Sequence, residues 1–132
     1  MAFDVKILSI PISDPEGADT LLLFKAPTDS QGGGIRLLAA EAVNHAATGS
    51  GTSFSYALHK YSNAGTPAVN GTISDTIGGT ASPWADSVPK SFTLDSDYTF
   101  IDAGEWVALS YVEQTNGAPT NGVISLKYVM GK

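Results

Sequence analysis

The 132-residue chain contains no cysteine. That absence removes disulfide staples, thiolate nucleophiles and cysteine-ligated zinc together. Stability therefore has to come from packing, hydrogen bonding or assembly. Charge is also scarce, at 15% of residues against the usual quarter or so. Seven Lys and Arg face thirteen Asp and Glu, for a net charge of −6. The basic residues are scattered, so the stripe that a phosphate backbone requires is missing and a nucleic-acid partner is not expected. No polybasic or amphipathic anchor is present, and no apolar run is long enough to span a bilayer as a helix, so no membrane partner is expected. The opening MAFDVKILSIPISDPEGAD has no positive leader and no signal-length apolar run before Pro11 and Asp14, which predicts synthesis in a cytoplasm and leaves the final location open.

What the chain does have is apolar residues at 42%, with 14 Gly and 7 Pro spread along it. At this length it reads as one domain, residues 1–132, large enough to bury a core without staples. Apolar positions recur with a period of two, the signature of strands with one buried face. VKILSIPI sets Leu8, Ile10 and Ile12 against Lys6 and Pro11. SFSYALHKY sets Phe54, Tyr56 and Leu58 against Ser53, Ser55, Ala57 and His59. VNGTIS alternates Val69, Gly71 and Ile73, and KSFTL offers Phe92 and Leu94. EWVALSYVE places Val107, Leu109 and Tyr111 opposite Trp106, Ala108, Ser110 and Val112, so one of its two faces needs a cover beyond its own sheet. VISLKYVM places Ile124, Leu126, Tyr128 and Met130 opposite Ser125 and Lys127.

Turn residues punctuate these runs at short intervals: Asn63-Ala64-Gly65, Asn70-Gly71, Gly78-Gly79, Asp95-Ser96-Asp97, Ala103-Gly104, Asn116-Gly117 and Asn121-Gly122. The segment GGGIRLLAAEAVNHAATGSG is ambiguous, because residues 35–47 are good helix formers. Three glycines make a poor N-cap, and a strand follows. An extended strand covered on both faces accounts better for Leu37, Leu38, Ala39 and Ala40 in a row. Eight or nine strands are expected, in an all-β, antiparallel two-sheet sandwich of jelly-roll type. Its last two strands form a closing hairpin, the second of them inside a sheet.

No constellation points to chemistry. His45 and His59 have no partner at a recognisable spacing and read as surface or edge histidines. Asp14, Glu16 and Asp19 crowd around Gly17 without the spacing of a calcium loop, and a solvated turn is preferred. Asp95 with Asp97, and Asp102 with Glu105, are read the same way. Gly32, Gly33 and Gly34 precede no phosphate-loop Lys, and no G-x-S-x-G elbow occurs. Asn70 opens an N-x-T acceptor that has no weight without a secretory leader. Trp84, on a Pro-bounded loop, and Trp106 are candidates for stacking on a sugar, although structural use of both is preferred. The expectation is no catalytic, cofactor or metal site.

The segments DPEGADTLLLFKAPTDSQGGGI, GTSFSYALHKY, GGTASPWADSVPKSFTL and IDAGEWVALSYVEQTNGAPTNGVISLKYVMG, which together span most of the chain, resemble the small head decoration, or cement, proteins of tailed bacteriophages. The resemblance lies in turns and patterning and carries no functional residues across. It implies a structural virion protein, without enzymatic activity, on the outer surface of the mature capsid. Its partners would be the major capsid protein and copies of itself, preferably as a homotrimer. Two other classes compete with it. A carbohydrate- or host-surface-binding sandwich of a head fibre or tail would use Trp84 or Trp106. A jelly-roll lyase or hydrolase would need clustered His and Glu that the chain lacks.

Overall fold

Period-two alternation puts side chains of one strand on opposite faces, and burying one face requires a second layer. The computed structural model describes residues 4–12, 18–31, 33–45, 53–62, 69–78, 87–115 and 120–131. Among them are ten strands, β1 (Val5–Ile12), β2 (Ala18–Lys25), β3 (Ile35–His45), β4 (Ser53–Tyr61), β5 (Val69–Thr72), β6 (Ile77–Gly78), β7 (Lys90–Ser91), β8 (Phe100–Ile101), β9 (Trp106–Thr115) and β10 (Thr120–Met130). A single 3-10 turn, Asp29–Gln31, is the only helical element among the described residues.

The strands form two five-stranded antiparallel sheets, one ordered β1-β10-β3-β7 with β8 also on β3, the other β2-β9-β4-β5 with β6 also on β4. Because β7 and β8 share one lane and β5 and β6 share another, the ten segments fill eight lanes. β1 to β4 alternate between the sheets, and the first lane pairs with the last and the second with the second-to-last. That is jelly-roll connectivity, as the strand pattern predicts.

One expectation is overturned. β9 and β10 do not form a hairpin: β9 pairs with β2 and β4, whereas β10 pairs with β1 and β3 in the opposite sheet. The intervening chain therefore crosses between layers. β10 does lie inside its sheet, flanked on both sides. The Asn121-Gly122 pair, expected as a turn, belongs to β10, and Asn70-Gly71 belongs to β5. Asn63-Ala64-Gly65 and Asn116-Gly117 lie outside the described residues. Asp95-Ser96-Asp97 is a turn, closed by the Tyr98 N–H on the Asp95 carbonyl at 3.0 Å and by the Asp97 N–H on Asp95 Oδ1 at 3.0 Å. Ala103-Gly104 is another, with Gly104 at φ 80°.

β3 resolves the helix-or-strand ambiguity in favour of a strand over Ile35–His45, although not one covered on both faces, and residues 46 and 47 lie outside the described residues. Ile35, Leu37, Ala40, Ala42 and Asn44 are buried, while Arg36, Leu38, Ala39 and Glu41 are exposed. The register against β10 slips between Tyr128↔Leu37 and Lys127↔Ala39, skipping Leu38. A bulge thus inserts one residue and resets the phase, which is why four apolar residues occur in a row: two point inward and two outward. In β1, Leu8, Ile10 and Ile12 turn inward as expected. Lys6 shares their phase, opposite Tyr128, and stays exposed near the strand end.

The core is a single cluster drawn from both sheets. Ile35, Leu37, Ile124 and Leu126 on one side meet Phe54, Leu58, Val107 and Leu109 on the other, all nearly or wholly inaccessible to solvent. The rings of Phe54, Tyr56 and Tyr111 stack at centroid distances of 5.4 to 6.0 Å, all tilted. Across the layers, Phe24 meets Tyr128 at 5.4 Å, and the buried Tyr56 hydroxyl donates to Asn44 Oδ1 at 3.1 Å. Burial pushes the Tyr56 phenol far above its ordinary range, and the neighbouring Tyr111 adds to the shift. Gly122 is what lets this pair fit: a Cβ there would stand 2.6 Å from Asn44 Oδ1 and 3.4 Å from the Tyr56 hydroxyl.

Candidate functional site

With the inner faces committed to the core, function falls to three other places: the outer face of each sheet, the end of the sandwich, and the edge where two lanes are broken.

The outer face of the β1-β10-β3 sheet carries large aliphatic side chains beside the exposed Arg36, Glu41 and Lys127. Ile7 is 71% exposed, Val5 50% and Leu38 43%. Between them lies a depression of about 230 Å³, whose lining sets the small residues Ala39 and Ser125 among Ile7, Glu41, Ser91 and Lys127. Small residues between larger neighbours make a shallow, mostly apolar seat.

The outer face of the β2-β9-β4 sheet carries the second set. Cross-strand register aligns Lys25, Trp106 and Tyr61 in one row, and Leu22, Ala108 and His59 in the next. Ala108 is wholly buried and Ala57 nearly so, whereas Leu22 and Val112 are 44% and 41% exposed. Trp106 is half-buried, with the Lys25 ammonium 5.7 Å from its ring centroid. The face of β9 bearing Val107, Leu109 and Tyr111 is covered by the opposite sheet, and the face bearing Trp106 looks outward. His59 also looks outward, away from Phe54, Tyr56 and Leu58. Its Nδ1 lies 3.5 Å from Thr72 Oγ1, and partial burial holds its pKa below the usual histidine value. A 3.5 Å contact orients the two side chains without activating the hydroxyl.

At the sandwich end, Lys60 occupies an inward position of β4. Its ammonium donates to the Phe100 carbonyl at 3.3 Å and lies 3.8 Å from Glu105 Oε1, with both side chains largely shielded. Glu105 Oε1 also accepts the Asp102 N–H at 2.9 Å. Asp102 and Glu105, read from sequence as solvated turn acids, thus play unequal parts: Asp102 is exposed, while Glu105 is buried and ion-paired.

The third place is the broken edge. Ser74 and Leu94 form an isolated bridge between the two interrupted lanes. Beside it opens a cleft of about 580 Å³ lined by Gly71, Thr72, Asp75, Thr93, Asp95 and Tyr98, among others. The sequence pattern did not reveal this cleft, because its walls come from two segments far apart in the chain, read separately as short strand runs and turns. The run LDSDY was the available signal.

Of the remaining candidates, Asp19 is exposed in β2 and its carboxylate accepts the Thr20 N–H at 2.8 Å. Asp14, Glu16, Gly32 and Trp84 lie outside the described residues, as do the side chains of His45 and Asn70. Among the described residues no three His, Asp or Glu gather as metal ligands. No protein-family model, curated protein or solved structure matches the chain.

Proposed function

We propose that this protein is a structural decoration protein that binds the outside of a mature tailed-bacteriophage head and stabilises it without catalytic turnover. One observation carries the reading. A lone sandwich needs to bury only its inner faces, yet both outer faces here display large aliphatic side chains: Val5, Ile7 and Leu38 on one, Leu22 and Val112 on the other. A body with two such faces suits a place among neighbours that cover it. On a shell those neighbours are the major capsid protein and other copies of this chain, as a trimer at local three-fold positions. The rigid sandwich loses little conformational entropy on docking. Many identical weak contacts over a symmetric lattice then stabilise the assembled shell by mass action, since they are absent from its free subunits. Trp106 supports the competing host-surface reading less, because half of it is buried and Lys25 lies against its ring.

The test is add-back to heads that lack the protein. Wild-type protein should bind them and raise the temperature at which they release DNA. Ile7→Ser with Leu38→Ser should keep the monomer fold and lose most of that binding. Localisation to the tail tip, with no binding to undecorated heads, would refute the proposal in favour of a host-surface module.

A further inference from the structure

We infer that the cleft at the broken edge, between Gly71–Asp75 and Thr93–Tyr98, is a binding site for an uncharged saccharide. Four features point to that ligand class. The volume, about 580 Å³, lies within the roughly 300–1,000 Å³ range of small-molecule clefts. It exists because the backbone pairing stops: among the described residues the ladder between the two lanes is a single bridge, Ser74 with Leu94, so the space that a continued ladder would fill stays open.

Its aromatic wall is held in place. The Tyr98 ring lies directly on the backbone of β5, where a Cβ on Gly71 would stand 2.5 Å from Tyr98 Cδ1. Glycine therefore permits the close approach, and the ring, 37% exposed, keeps surface available in the cleft. An apolar ring face suits the C–H side of a pyranose.

The two carboxylates are aimed. Asp75 Oδ1 accepts the Thr93 N–H at 2.8 Å and Asp95 Oδ1 accepts the Asp97 N–H at 3.0 Å. Each acid thus spends one oxygen on the backbone, which fixes its orientation, and keeps the other for a ligand hydroxyl. The Thr72 and Thr93 hydroxyls supply partners that both donate and accept.

The sign of charge completes the argument. Among the described residues the cleft is lined by two carboxylates and no cation; the nearby Lys60 ammonium, 5.9 Å from the Tyr98 ring centroid, is engaged by the Phe100 carbonyl and Glu105, so phosphorylated, sulfated or carboxylated sugars are disfavoured. Acceptors that are fixed in direction, beside an aromatic wall, fit a neutral polyol.

The experiment is amide chemical-shift mapping of the whole protein, titrated with neutral trisaccharides of glucose, galactose, mannose or N-acetylglucosamine to about 10 mM, a range that captures the millimolar affinities of single small sites. At least one should shift amides confined to Gly71–Asp75 and Thr93–Tyr98. Tyr98→Ala should weaken that binding by about tenfold or more. Asp75→Asn and Asp95→Asn should also weaken it while leaving the melting temperature near wild type, since an Asn carbonyl can still accept the backbone N–H. Absence of shifts with every sugar would overturn the inference, as would shifts centred on Trp106 or binding undiminished in a folded Tyr98→Ala protein. Calcium chloride or tetramethylammonium chloride acting where no sugar does would make the cleft a cation site and overturn it equally. Head binding is not measured here, so the saccharide site can fail while the decoration proposal stands, and the reverse.

Discussion

The middle of each sheet and its broken edge are parts of one hydrogen-bonded layer and behave as different materials. β9 and β10 run ten and eleven residues with a partner on both sides. β6, β7 and β8 run two residues each. In the middle, inward side chains pack into the shared core, and Phe54, Leu58, Leu109 and Tyr111 are fully inaccessible. At the edge, Asp75, Asp95 and backbone groups of Thr93 and Ile73 replace ladder bonds with side-chain and turn bonds. Continuous pairing uses up backbone polar groups and leaves only side-chain faces for recognition. Interrupted pairing leaves a cleft with oriented polar groups in it. Stability and binding capacity are therefore separated in space on one small body.

Substitutions can break that separation, and the largest effect belongs to the middle. Phe54→Ala removes a buried ring that touches both Tyr56 and Tyr111, at an expected cost of about 3–5 kcal/mol. Urea unfolding should show it as a lowered midpoint with an unchanged slope. A loss under about 1 kcal/mol would mean that the aromatic cluster is loosely packed.

Next comes the sandwich end, which joins the two regions through Lys60 and Glu105. Lys60→Met removes the cation beside a buried carboxylate, leaving it the hydrogen bond from the Asp102 N–H, and should cost about 2 kcal/mol. Adding Glu105→Gln should recover part of it, as a double-mutant cycle would show. A single-substitution cost below about 0.5 kcal/mol would mark the pair as solvent-screened.

A smaller effect is expected at the edge. Gly71→Ala strains a backbone at φ 153° and pushes against the Tyr98 ring, so stability should fall by about 1–2 kcal/mol. The ring should move, visible as displaced Tyr98 proton resonances. A loss as large as that of Phe54→Ala would show that the edge is part of the core after all.

The smallest effect concerns pH. Burial lowers the His59 pKa in the folded state, so the unfolded chain takes up the proton first. The contribution of neutral His59 is present above the ordinary value of about 6.5 and is lost as pH falls from there through the folded pKa. His59→Gln should flatten the stability profile just below pH 6.5 and leave it unchanged above. Identical profiles for the two proteins would place the ring in full solvent.

Much of the fold could be read from the pattern, and the misreadings share one cause. Inward positions in β4, β9 and β10 follow alternation, so Phe54, Tyr56, Leu58, Val107, Leu109, Tyr111, Ile124 and Leu126 were identifiable from their neighbours alone. β3 broke the rule because a bulge at Leu38 shifts the phase by one residue, and a single sequence gives no sign of the partner strand that slips. The closing hairpin was misread because two strands and a Gly-bearing turn look alike whether the chain folds back or crosses layers. Glu105 and Lys60 were missed because they lie 45 positions apart in the chain, with no local pattern to join them. The cleft went unseen for the same reason.

By itself, the sequence determined that this chain makes strands, which side chains of most strands face inward, and that disulfides and cysteine-bound metals have no part in it. These are local properties, set by a two-residue backbone repeat and by which side chains are present. Tertiary structure decided which strands meet. Ser9 and Ser125, whose hydroxyls lie 3.2 Å apart, are separated by 116 positions. The β1–β10 ladder that brings them together also assigns β9 and β10 to opposite layers. Ladders are chosen by the fit of whole faces against one another, and the edge lanes end where that fit runs out. The outer faces and the cleft are what remains after that choice, so they could be found only once the chain had folded.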